Sequence, residues 1–140
     1  MSRLAAALLG AVGAALAMVA PAWADACPRE APGFQRLATA EAEIAYRWEP
    51  AELKVGQFFA AEVAVCRAPG PEPVERIAVD ATMPAHGHGM SYRPAVEAAG
   101  EGRYRITGLM LHMPGTWRLA FDLFQGARRT RLTYEVDLKR

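Results

Sequence analysis

What this chain lacks narrows it before any motif is read. Beyond residue 24 no apolar run is long enough to cross a bilayer, which excludes a membrane span from the rest of the chain. Net charge is nearly absent, with 16 Lys and Arg against 15 Asp and Glu. Without Arg3 the two signs balance, so the basic surface that a nucleic-acid partner demands is missing. Cysteine is scarce: Cys27 and Cys66 are the only two. No G-x-S-x-G stretch or Cys/His pair is present, which leaves a metal-independent hydrolase little to work with. Internal repeats, low-complexity tracts and a convincing helical pattern are missing too.

Histidine is the most informative scarcity. The chain has three, and all lie in two short runs. Met83 to Met90 reads M-P-A-H-G-H-G-M and carries His86 and His88; Leu109 to Gly115 reads L-M-L-H-M-P-G and carries His112. Every methionine after residue 24 falls in the same runs: Met83, Met90, Met110 and Met113. Imidazole and thioether together suit copper, the thioether favouring Cu(I), and imidazole alone suits Cu(II) or zinc. Acids are not interleaved with these ligands, which argues against calcium or magnesium. A blue-copper centre would need a thiolate that the two cysteines do not spare once paired.

The order of preference for ligands is His86, His88 and His112, then Met90 and Met113. Met83 and Met110 read as core fillers. On a regular strand His86, His88 and Met90 would share one face, and Gly87 and Gly89 free them to turn towards one point. Adjacent His112 and Met113 would face opposite ways unless Pro114 and Gly115 bend the chain. A purely structural account also exists, in which Met-Pro packs the mouth of a sandwich and histidines beside glycines shape loops.

Residues 1–24 read as a cleaved signal peptide: Arg3, an apolar stretch from Leu4 to Ala20, and Ala22-Trp23-Ala24 as the cleavage pattern. The exported chain is then periplasmic or otherwise extracytoplasmic, where a Cys27–Cys66 disulfide would persist. Such a bridge would close residues 25–40 onto the domain with up to about 4 kcal/mol of stabilisation. Two other readings stand beside it, lipidation of Cys27 and metal ligation by Cys66.

From residue 41 to 140 the pattern is all-β. Ile44, Tyr46 and Trp48 alternate with polar or small residues, as do Phe59, Ala61, Val63 and Val65. Ile77, Val79 and Ala81 form a third stripe, and Tyr104 with Ile106 another. A short extended piece covers Ala95 to Ala98. Trp117 to Leu123 and Leu132 to Leu138 form a hairpin around Gly126-Ala127, one face buried and the other wet. Asp80 and Asp122 fall on the wet faces. The aromatic residues Trp48, Trp117, Tyr104 and Tyr134 read as core or tyrosine-corner positions, Trp117 being near enough to His112 to shield a metal. About seven strands in one domain predict an immunoglobulin-like β-sandwich.

The strings V-D-A-T-M-P-A-H-G-H-G-M (79–90), G-R-Y-R-I-T-G-L (102–109) and H-M-P-G-T-W-R-L (112–119) resemble the YtkA-like family. The resemblance covers roughly residues 40–138. It implies an exported immunoglobulin-like domain, broadly similar to CopC-type and FixH-type domains, associated with copper handling or assembly of respiratory complexes. CopC-type proteins begin with histidine, whereas this exported chain would begin Asp25-Ala26-Cys27. The expected function is a periplasmic copper chaperone or buffer with a copper-accepting partner. The alternative is a metal-independent interaction module that assists a membrane or respiratory complex. Neither reading is enzymatic.

Overall fold

The structure is a computed structural model, and it describes residues 27–140. The expected signal peptide lies outside the described residues. Nine strands follow in order: β1 (Gln35–Ala38), β2 (Glu43–Glu49), β3 (Phe58–Arg67), β4 (Arg76–Met83), β5 (His88–Gly89), β6 (Ala95–Ala98), β7 (Arg103–Met110), β8 (Gly115–Gln125) and β9 (Arg128–Leu138). They form two antiparallel sheets, ordered β1-β2-β3-β7-β6 and β5-β4-β8-β9. Packed face to face, these sheets make the immunoglobulin-like sandwich that the alternating pattern predicts.

The expected count of about seven strands is exceeded by β1 and β5. Both are short and lack an apolar alternation that would betray them: β1 contains Leu37 alone, and β5 is His88-Gly89. Each is held as an edge by pairing with a longer neighbour. Among the described residues no helix is long and apolar enough to cross a membrane.

The stripes meet between the sheets. Trp48 lies edge-on to Phe59, with ring centroids 5.4 Å apart, and reaches across to Phe121 at 6.0 Å. Tyr46 packs on Phe121 at 5.4 Å and on Tyr134 at 5.8 Å. Around them Ile44, Ile106, Leu109, Leu119, Leu123 and Leu132 are fully buried. Truncating any of the large rings to alanine would cost about 3–5 kcal/mol.

One expectation fails on the outer face of the second sheet. Asp122 is not solvated: it is only 6% exposed and takes two 2.7 Å hydrogen bonds from the Arg131 guanidinium. β8 is an inner strand, and Arg131 stands directly opposite Asp122 in the β8–β9 register. The bidentate pair satisfies the carboxylate that neighbouring strands remove from water.

Antiparallel alternation sorts the turns to two ends of the sandwich. The loops after β1, β3, β6 and β8 gather at one end, with Cys66; those after β2, β4 and β7 gather at the other. Cys27 and Cys66 are disulfide-bonded, their Cα atoms 5.1 Å apart, within the range that an unforced bridge needs. That bond removes Cys66 as a metal ligand and Cys27 as a free thiol.

Candidate metal-binding loops

The first His/Met run is a hairpin. Met83 pairs with His88 and Thr82 with Gly89, so Pro84, Ala85, His86 and Gly87 make the turn. The Met83 carbonyl accepts from both His86 N (3.1 Å) and Gly87 N (2.9 Å), which closes it. Gly87 has φ 66°, a left-handed conformation that a side chain resists, so this glycine permits the turn. After it the chain is extended, and Met90 N donates to the Ala81 carbonyl at 3.1 Å. His88 therefore lies on the same side of the hairpin as Met83 but is itself exposed, at the rim of the sandwich, while Met90 beside Ala81 is half-buried. His86 stays on the exposed turn.

The second run crosses from β7 to β8 at the same end. Leu111 is fully buried, and its carbonyl accepts from Gly56 N at 2.9 Å. Trp117, also fully buried, donates its indole N–H to the Met113 carbonyl at 2.9 Å. That bond curls the run over the core. Gly115 completes the bend with φ 120°, and a Cβ there would stand 2.9 Å from Met83 Cε. The two runs therefore touch through Met83, a core residue as expected, which supports both.

The ligand candidates come together unequally. His88 Nδ1 lies 3.2 Å from Met113 Sδ. The His112 ring is 6.5 Å from that of His88 and packs edge-on to Trp117 at 5.4 Å. His112 Nδ1 is buried without a hydrogen-bond partner among the described residues. His86 stacks beside His88 with centroids 6.0 Å apart, on the solvent side. Met90 is half-buried against the core, and Met110, half-buried too, sits opposite the exposed Phe58. His112 and Met113 thus both lie near His88, across the Pro114–Gly115 bend.

Two features of this site escaped the sequence. The Trp117–Met113 hydrogen bond fixes the loop, and the spacing of four residues was its only trace. The Met83–Gly115 contact had no sequence signal, because it joins different strands of the fold.

Among the described residues, one trio of His, Cys, Asp or Glu donor atoms lies within 4.8 Å of one another: Cys27, Glu43 and Cys66. Its sulfurs are bonded to each other, and its carboxylate is held by Arg29 and Arg36. Neither condition suits a cation. The three imidazoles do not all fall within that distance, so they cannot hold one ion together in this conformation.

A family model described as YtkA-like matches residues 37–122. No curated protein sequence matches the chain significantly. Two crystal structures are similar to it. One is a DUF4426 family protein from Pseudomonas aeruginosa PAO1, with TM-score 0.45, 9% identity, and coverage of 77% of this chain and 98% of that one. The other is FetP of uropathogenic E. coli strain F11, expressed in the E. coli periplasm, with TM-score 0.45, 9% identity, and coverage of 76% and 93%.

Proposed function

From the premise that the chain belongs to the YtkA-like family, we propose that it is an exported copper-binding module, a periplasmic chaperone or buffer rather than an enzyme. One observation carries this reading: His88 Nδ1 and Met113 Sδ lie 3.2 Å apart, and the ring of His112, whose Nδ1 is buried without a partner, lies 6.5 Å from that of His88. Two donors to one ion, at bond lengths of about 2.0 Å for nitrogen and about 2.3 Å for sulfur, stand roughly 3–4 Å apart. A buried imidazole nitrogen without a partner costs about 1–3 kcal/mol, a penalty that ligation removes. A mixed imidazole–thioether set favours Cu(I).

The position supports carriage. The site sits at a loop end, with an exposed histidine outside and a buried tryptophan beneath, so an ion is reachable by a partner yet shielded below. The disulfide at the opposite end fits an oxidising compartment and a periplasmic location. Residues 1–24 as signal peptide, with 25–40 tied by the disulfide ahead of a domain at 41–140, complete this reading.

Titration of the purified protein with Cu(I) and Cu(II) against competing chelators tests it. One-to-one Cu(I) binding, lost in His88→Ala, is the expected result. Binding that is weak and indifferent to His88→Ala would sink the proposal.

A second reading rests on Phe58 and Tyr92, which are 55% and 49% exposed and pack edge-on at 5.1 Å near the same end. An exposed aromatic pair is a common anchor for protein partners. On this reading the domain assists a membrane or respiratory complex without metal. Capture of such a partner by metal-free protein, abolished by Phe58→Ala, would favour it.

A further inference from the structure

The three histidines are not equivalent, and their arrangement assigns them different tasks. His88 stands in the middle, with His86 at 6.0 Å on the exposed turn and His112 at 6.5 Å against Trp117. The three imidazoles do not converge on one point, but His88 neighbours both of the others, so the His88–Met113 pair can be grouped with either. The inner set is His88, Met113 and His112; the outer one replaces His112 with His86. Only the inner set contains a buried nitrogen that lacks a partner.

We propose, resting on the copper reading above, that His86 is an exchange ligand: it takes Cu(I) from solvent or a donor and passes it to the inner set. The ion first binds His86 and the His88–Met113 pair. A bond from copper to His112 Nδ1 then forms as the bond to His86 breaks. Copper remains Cu(I) throughout, and no electron or proton need move, because each imidazole presents a lone pair. Release follows the same steps in reverse.

Several features suit His86 to this role. The double hydrogen bond to the Met83 carbonyl fixes the turn backbone, while the side chain stays exposed. Its ring is nearly parallel to that of His88, at 23°, so both imidazoles flank one approach from solvent. His112 is instead wedged against Trp117, whose indole is itself tied to the loop. A packed inner ligand and an exposed outer one are what stepwise transfer requires.

A ligand used only during exchange changes loading and unloading equally and leaves their ratio alone. His86→Ala should therefore keep the Cu(I) dissociation constant within about 3-fold of wild type. Transfer rates to and from a bidentate chromogenic Cu(I) chelator, measured by stopped flow, should both fall by about 10-fold or more. His112→Ala should do the opposite, weakening affinity by about 100-fold while loading stays fast. X-ray absorption of the Cu(I) protein should show the same nitrogen and sulfur shell in wild type and His86→Ala. If His86→Ala lost affinity as His112→Ala does, His86 would be a resident ligand and the exchange role would fall, though copper binding would stand. Unchanged rates would also overturn it. If wild type itself bound no Cu(I), the failure would lie in the copper reading.

Discussion

The two ends of this sandwich solve the problem of buried polar groups in opposite ways. At the disulfide end they are tied off. Glu43, only 4% exposed, takes hydrogen bonds from Arg29 and Arg36 at 2.8–3.1 Å. Arg67 caps the carbonyls of Thr39 and Ala40, and Gln125 Nε2 bonds those of Pro69 and Glu72. Gln125 Oε1 is the exception there. Towards the His/Met end, His112 Nδ1 is buried unpaired, as are Trp48 Nε1 and Arg47 Nε on β2, and His88 Nδ1 meets the Met113 thioether at hydrogen-bond distance. Satisfied groups add stability, whereas an unpaired imidazole nitrogen costs stability that a bound ligand would restore. The difference separates the end that holds the fold from the end that we propose binds copper.

Removing the bridge should have the largest effect on stability. The double change Cys27→Ala/Cys66→Ala opens a separation of 39 residues and should cost about 4 kcal/mol in urea unfolding. Cu(I) affinity of the folded protein should be unchanged. A parallel loss of affinity would show that the two ends are coupled, breaking the contrast.

Glu43→Gln should come next, at about 2 kcal/mol, since its arginine partners are half-exposed and screened. Burial pushes the Glu43 carboxyl up, but the hydrogen bonds from Arg29 and Arg36 outweigh it and hold the group below the usual range. The folded carboxyl therefore titrates lower than the unfolded one, at about 4.3. Its stabilisation is complete above that pH and fades as pH falls through the lowered folded value. Wild type should lose this increment under acid while Glu43→Gln does not. Parallel stability curves between pH 7 and 3 would exclude Glu43 as the group responsible.

The proposed copper-binding end should respond in function instead. Met113→Leu conserves volume and should change stability by less than about 1.5 kcal/mol, while Cu(I) affinity falls by at least about 10-fold. A full loss of fold would show the thioether to be packing and little else. Smallest in stability, His112→Phe removes the unpaired nitrogen and retains a ring against Trp117. Thermal unfolding should be unchanged or raised by up to about 1 kcal/mol, with copper affinity reduced. Marked destabilisation would mean that His112 holds the loop rather than a ligand.

Much of this was legible in the sequence. The stripes in β2, β3, β4, β7, β8 and β9 read correctly, because a strand's two faces follow from its own pleat. The concentration of imidazole and thioether in two runs was visible as well, and so was the candidate disulfide. β5 was not: its two residues become a strand only by hydrogen bonding to Thr82 and Met83. Asp122 misled, because alternation marks the outer face but not how fully neighbouring strands cover it.

The sequence by itself determined the longer strands, their buried faces, the family and the kinds of ligand available. These depend on local alternation and on side-chain chemistry. Only the tertiary structure decided that His88 meets Met113, that His112 lies inward against Trp117, and that His86 is left outside. The Met83–His88 register sets which side of the hairpin His88 shares with Met83, and the seat of Gly115 on Met83 sets how the second loop folds over the first. Both are relations between distant residues, fixed by packing the sheets together.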